Sequence, residues 1–373
     1  MTEKIPATMK AVVTRGHGGF EMLDYTDVPV PTPAPGEVLL RVEAAGVCHS
    51  DLHVMKGDLA MKMPIILGHE GAGVVEAVGS GVTHLRPGDH VVLSWVQNCG
   101  RCPYCVAGRH HLCEGAIIDA INGEDFVFRK GSLPIGRLAG VGSFAEKTVV
   151  RASAAVKIAP DIPLDRACLV GCGVMTGVGA AINTVDIRPG QSVAVFGCGG
   201  GVLNVIQGAA LSSPATIIAV DVVAAKLETA RSFGATDLVD ARSVDDVPAA
   251  IKDLTGGQGV DFAFEASGVA AVILQAFASI KRGGAAVVVG APSIFEQVSF
   301  PAALFALEER SVIGSLYGSA NMQRDMPRLL DLYMRKHLKI DELISRRIRL
   351  DEVNDAFAAI ENGEVARSVI IYD

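Results

Sequence analysis

The stretch CGRCPYCVAGRHHLC, residues 99–113, spaces four cysteines as C-x2-C-x2-C-x7-C. Thiolates this close on a looped backbone can surround a tetrahedral zinc without help from a core. An iron–sulfur cluster is the chemical rival, but the ferredoxin run continues C-x3-C-P and this one does not. Cys99, Cys102, Cys105 and Cys113 would fill every position on the metal, so the expected role is structural. His110 and His111, beside the cluster, read as solvated loop histidines.

A second set is scattered: GVCHSDLH holds Cys48, LGHEGAG holds His69 and Glu70, and VGCGVMTG holds Cys172. Two thiolates and an imidazole leave one zinc position open for a substrate oxygen, which is a catalytic arrangement. Each residue alone reads as a buried cysteine or a core histidine. The weight lies in their joint appearance beside turn glycines and a full cysteine cluster.

GCGGGV, residues 197–202, lies between the apolar run SVAVF and the stretch LNVIQGAAL. Strand, glycine turn and helix is the layout of a dinucleotide loop, written G-x-G-x-x-G. Gly197 and Gly199 fit it, but Val202 holds the third glycine's place. The run TIIAVD ends on Asp221, 22 residues after Gly199. A carboxylate there accepts hydrogen bonds from the adenosine ribose and repels a 2′-phosphate. Val222 and Val223 follow with no arginine, so NAD is expected over NADP.

Elements must position these groups. At 373 residues the chain exceeds what one core usually supports, and two domains are expected. Half the residues are apolar and a fifth charged, as in an ordinary globular enzyme. The net charge of −8, with no Lys/Arg cluster, argues against a nucleic-acid partner. The opening MTEKIPATMK is not expected to be a secretory signal, and apolar runs stop short of the roughly 18 residues of a spanning helix. A cytoplasmic protein without a membrane partner is expected, its eight cysteines reduced.

The first 170 or so residues carry β-branched runs (MKAVVTR, EVLLRVEAAGV, GAGVVEAVG, HVVLSWV) broken by PAPGE and RPGD, as in a mostly β domain. From about residue 176, strand-length apolar runs alternate with helical stretches, the pattern of a doubly wound parallel sheet. After about residue 320 come two amphipathic helices and a last strand, SVIIYD.

Taken together, these segments resemble the zinc-dependent medium-chain alcohol dehydrogenases, in the form with a structural zinc loop, over nearly the whole length. GHEGAGVVEAVGSGVTHLRPGDHVV is the most specific match. The resemblance implies an α/β fold: a GroES-like catalytic domain over 1–177, a Rossmann domain over 178–318, and a return to the catalytic domain over 319–373. It implies that Cys48, His69 and Cys172 hold a catalytic zinc with Glu70 nearby, and that Asp51 orients the histidine. Ser50 and His53 would relay the alcohol's proton to solvent while hydride passes to NAD. His49, Thr176, Gly200, Gly201, Lys226, Val289 and Arg367 join the cofactor set. Leu59, Trp95, Ile118, Leu138, Ala139, Ala291 and Leu316 would line an apolar cleft suited to medium-length or aromatic primary alcohols.

Where the family has G-x-G-G-V-G, this chain has the last two residues exchanged. Val202 is expected to press helix from strand and Gly201 to leave a gap behind the nicotinamide, compromising the loop. The long segment 114–143 is typical of the family's dimeric members, so a homodimer is expected. Oxidation of a thiol adduct of formaldehyde is the second enzymatic reading. A non-catalytic structural or redox-sensing zinc protein is the reading from another class.

Overall fold

A computed structural model of the chain describes residues 5–59, 61–116, 126–293, 295–363 and 367–372. The chain divides into two compact units, Met1–Cys172 with Asn321–Asp373, and Gly173–Ala320. The breaks lie a few residues from the expected borders, and Thr176 falls in the second unit.

The first unit is built on two mainly antiparallel sheets. In the larger, Glu37–Val47 is central, pairing with Glu70–Val78 and Lys147–Arg151 and, over its last residues, with Arg367–Ile371. Its near-continuous apolar run EVLLRVEAAGV is buried at eight of eleven positions, as expected of a strand covered on both faces. This strand ends at Val47, immediately before Cys48. The closing strand Arg367–Ile371 brings Arg367 to the same end, because Ser368 pairs with Val47.

The second unit is a six-stranded parallel sheet. Its strands are β1 (Ser192–Phe196), β2 (Thr216–Asp221), β3 (Asp237–Asp240), β4 (Val260–Glu265), β5 (Ile280–Val288) and β6 (Ser311–Gly314). Their order across the sheet is β3-β2-β1-β4-β5-β6. The chain therefore reverses direction across the sheet between β1 and β4, and ligands of such sheets bind at the strands' carboxyl ends there. Asp221 ends β2 on one side of that point and Glu265 ends β4 on the other, level with Phe196. Apolar faces of β1, β2 and β4 pack with the helices Val247–Asp253 and Ala270–Ser279 into this unit's core. Among the described residues no single helix is long and apolar enough to cross a membrane.

Candidate active site

Cys99, Cys102, Cys105 and Cys113 present sulfur atoms that all lie within 4.8 Å of one another. The short helix Pro103–Val106 starts directly after Cys102 and holds Cys105 in its first turn. Cys99 accepts the Cys102 N–H at 3.3 Å, and the backbone N–H groups of Arg101 and Cys102 bring its thiol down to about 6. Burial pushes Cys105 up to about 12, and the four clustered sulfurs match the ligand set of a structural zinc. His111 is not the solvated residue expected: the turn His110–Leu112 folds it inward, leaving it 5% exposed.

The dispersed set also converges. One ligand atom each from Cys48, His69, Glu70 and Cys172 lies within 4.8 Å of the others. Local structure explains why. Cys48 is the N-cap of the helix His49–Lys56, and Asp51 Oδ2 accepts the Cys48 N–H at 3.1 Å, a capping interaction that fixes the thiol at the helix start. The other oxygen of Asp51 accepts Gly68 N–H at 2.9 Å and His69 Nδ1–H at 3.1 Å. One fully buried carboxylate thus joins the loop carrying Cys48 to the loop carrying His69.

With Nδ1 donating to Asp51, the lone pair of His69 resides on Nε2. That atom is buried and has no hydrogen-bond partner among the described residues. An imidazole oriented in this way is a metal ligand's arrangement, since an idle buried nitrogen otherwise costs free energy. Contact with Cys172 and the charge of Arg367 hold Cys48 well below the usual thiol range, whereas the same contact, with burial, pushes Cys172 up. Burial also lifts Glu70 to about 7, against the pull of Arg367, whose guanidinium lies 3.4 Å from Glu70 Oε1. Arg367, expected on the cofactor, is therefore buried beside the metal ligands and paired with Glu70.

Ser50 Oγ lies 3.8 Å from Cys48 Sγ, at the edge of this group. His53 is exposed, with Nδ1 bonded to Asp58 at 2.8 Å. His49 is exposed on the first turn of the same helix. Leu59 is exposed and Trp95 half-buried, whereas Leu138 belongs to the core with Ala139 packed on it. Ile118 lies outside the described residues.

In the second unit, Gly197 takes φ +92°, a left-handed turn open to glycine, directly after β1. Leu203–Ala210 is the helix that follows, with Val202 at its N-cap position. Val202 is buried, 8% exposed, and a Cβ built on Gly197 would lie 3.7 Å from its Cγ2, an ordinary contact distance. A closer approach is made at Gly201. A Cβ on Gly177, in the helix Gly173–Gly179, would stand 2.7 Å from Gly201 O and 2.5 Å from Asn204 Cβ. Asn204, which the sequence reading passed over, donates to Gly200 O at 3.0 Å and accepts from Gln207 at 2.7 Å, bracing the helix start. Asp221 is tied to the loop as well, accepting Cys198 N–H at 2.7 Å and Val223 N–H at 2.8 Å. Lys226 and Thr176 are half-buried, Val289 follows β5, and Ala291 and Leu316 are exposed.

Comparison with known proteins agrees with this geometry. Residues 34–161 match the alcohol dehydrogenase GroES-like domain, and residues 202–335 match the zinc-binding dehydrogenase domain. The NDMA-dependent alcohol dehydrogenase of Amycolatopsis methanolica is 40% identical over 98% of this chain and 99% of its own. The chain belongs to the medium-chain zinc alcohol dehydrogenase family. Among curated members, a probable S-(hydroxymethyl)glutathione dehydrogenase of Schizosaccharomyces pombe is 36% identical over 97% of both chains. Among solved members, the benzyl alcohol dehydrogenase of Acinetobacter calcoaceticus superposes with a TM-score of 0.92 at 31% identity, over 98% of this chain and 99% of that one. As a medium-chain alcohol dehydrogenase, the chain is an oxidoreductase with the expected GroES-like and Rossmann folds.

Proposed function

We propose that this dehydrogenase interconverts primary alcohols and aldehydes with NAD, holding one zinc in each of its two ligand groups. The observation that carries this reading is His69 Nε2, buried without a partner and aimed by Asp51 at two cysteine sulfurs. Zinc held by Cys48, His69 and Cys172 would supply Lewis acidity toward the substrate oxygen. Asp51 keeps the histidine in its ligating tautomer, and Glu70 stays poised beside the ligands through Arg367. Ser50, at the edge of the group, takes the hydroxyl proton, and exposed His53 passes it to solvent. NAD would accept the hydride.

The NAD assignment rests on the turn at Gly197, the helix start at Leu203 and the carboxylate of Asp221, with no arginine beside it. Asp221 has acceptor capacity left after its two backbone bonds. Gly199 and Gly200 shape the loop, and Thr176, Lys226, Val289 and His49 are assigned to the cofactor, whereas Arg367 is kept with Glu70. The apolar set Leu59, Trp95, Leu138, Ala139, Ala291 and Leu316 suits hydrocarbon or aromatic alcohols, like the benzyl alcohol in the Acinetobacter enzyme's name. The open edge of β6, with Leu307 80% exposed nearby, supports the homodimer, and eight unpaired cysteines support a cytoplasmic setting.

The test is a substrate panel: benzyl and medium-length alcohols, and S-(hydroxymethyl)glutathione, each with NAD, NADP or NDMA as acceptor. Fastest turnover with benzyl alcohol and NAD supports the reading. Preference for the glutathione adduct would favour the second one, and dependence on NDMA would replace free NAD as acceptor.

A further inference from the structure

Glu265 has no part in the mechanism above, yet it is fully buried at the cofactor edge of the sheet. Its Oε1 accepts three hydrogen bonds, from Ser267 N–H at 2.6 Å, the Ser267 hydroxyl at 2.5 Å and Gly268 N–H at 2.9 Å. Its Oε2 is also buried, and nothing among the described residues bonds to it. A carboxyl oxygen taken out of water without a donor is destabilising, so an atom of this kind calls for a ligand.

Its position says which ligand. Glu265 pairs with Phe196, the last residue of β1, across the point where the sheet's winding reverses. Ser267 Cβ would lie 4.0 Å from a Cβ on Gly197, and the Glu265 carbonyl accepts the N–H groups of Val289 at 2.7 Å and Gly290 at 3.0 Å. Glu265 therefore stands between the glycine turn and the segment after β5. Asp221, the matching acid at the end of β2, takes the opposite side of the reversal.

A dinucleotide lying across that point places one half on each side. On the reading that Asp221 receives the adenosine ribose, we propose that Glu265 Oε2 accepts a hydrogen bond from the nicotinamide–ribose half of the same cofactor. The donor is a ribose hydroxyl or the carboxamide NH2. Glu265 Oε1 meanwhile keeps the turn through Ser267 and Gly268 in place.

The test compares NADH, ADP-ribose and ADP binding, by titration calorimetry, in the wild type and in Glu265→Gln, Ser267→Ala and Asp221→Ala. Glutamine can keep all three bonds to the turn but loses the second acceptor. Glu265→Gln should weaken NADH roughly ten-fold, the scale of a bond to a charged acceptor, with ADP affinity and thermal midpoint unchanged. A matching loss for ADP-ribose assigns the ribose hydroxyl as donor; a loss for NADH alone assigns the carboxamide. Asp221→Ala should weaken all three ligands. Unchanged NADH binding in Glu265→Gln overturns the proposal. So does an equal loss of NADH and ADP with a lowered thermal midpoint, or an equal NADH loss in Ser267→Ala, since either makes the residue a support of the turn. A wild type that binds ADP but not NADH would instead refute the NAD reading itself.

Discussion

Asp51 Oδ1 lies 3.1 Å from His69 Nδ1, and the far nitrogen of that ring has no hydrogen-bond partner among the described residues. The carboxylate also accepts Cys48 N–H and Gly68 N–H, so it sets both the tautomer of one ligand and the positions of two ligand loops. In Asp51→Asn the amide must turn an N–H toward one of these donors. Zinc affinity at this site should fall about 10–100-fold, with activity following it. Chelator competition measures this; unchanged affinity would mean that Asp51 does not orient His69.

Cys102→Ser should act on stability rather than chemistry. It removes one of four sulfurs from a cluster with no other described partners at that distance, and structural zinc contributes directly to folding free energy. The thermal midpoint should drop, while the remaining folded protein keeps its KM for alcohol. Full stability with the loop's zinc gone would show that the cluster is not structural.

The four-cysteine site was legible because its ligands are near neighbours in the chain, and spacing alone carries such a signal. The Cys48 group was legible only through resemblance, since 124 residues separate Cys48 from Cys172. The pairing of Arg367 with Glu70 was out of reach, because it depends on the closing strand running back beside Val47. Glu265 did leave a trace. VDFAFE ends on an acid as TIIAVD does, a charge stopping an apolar strand at the same edge. The close approach of Gly177 to Gly201 and Asn204 was also out of reach, because a loop motif does not say which other helix packs on it.

The burial of Val202 bears on the loop's stability. The exchange Gly201→Val with Val202→Gly restores the family order, but it removes a side chain that is buried where it stands. In Val202→Gly alone, loss of the buried valine and a more flexible unfolded chain should together cost about 2 kcal/mol. Calorimetric unfolding should show a lower midpoint for the exchange and for Val202→Gly alone. A higher midpoint would mean that Val202 strains the loop after all.

Asp221→Ala should relax the bias against NADP, because it removes a charge that repels a 2′-phosphate. It also frees the N–H groups of Cys198 and Val223, so NAD binding should weaken at the same time. The ratio of kcat/KM for NAD over NADP is the readout. An unchanged ratio would remove Asp221 from cofactor selection.

The most direct measurement is zinc content per chain read together with NADH formation from benzyl alcohol, in the wild type and in Cys48→Ser. The two ligand groups predict two zinc ions and turnover in the wild type, then one zinc ion and almost no turnover in a Cys48→Ser protein that still folds. A wild type with one zinc ion and no NADH formation, or a Cys48→Ser protein that keeps both metal ions and its activity, would contradict the account.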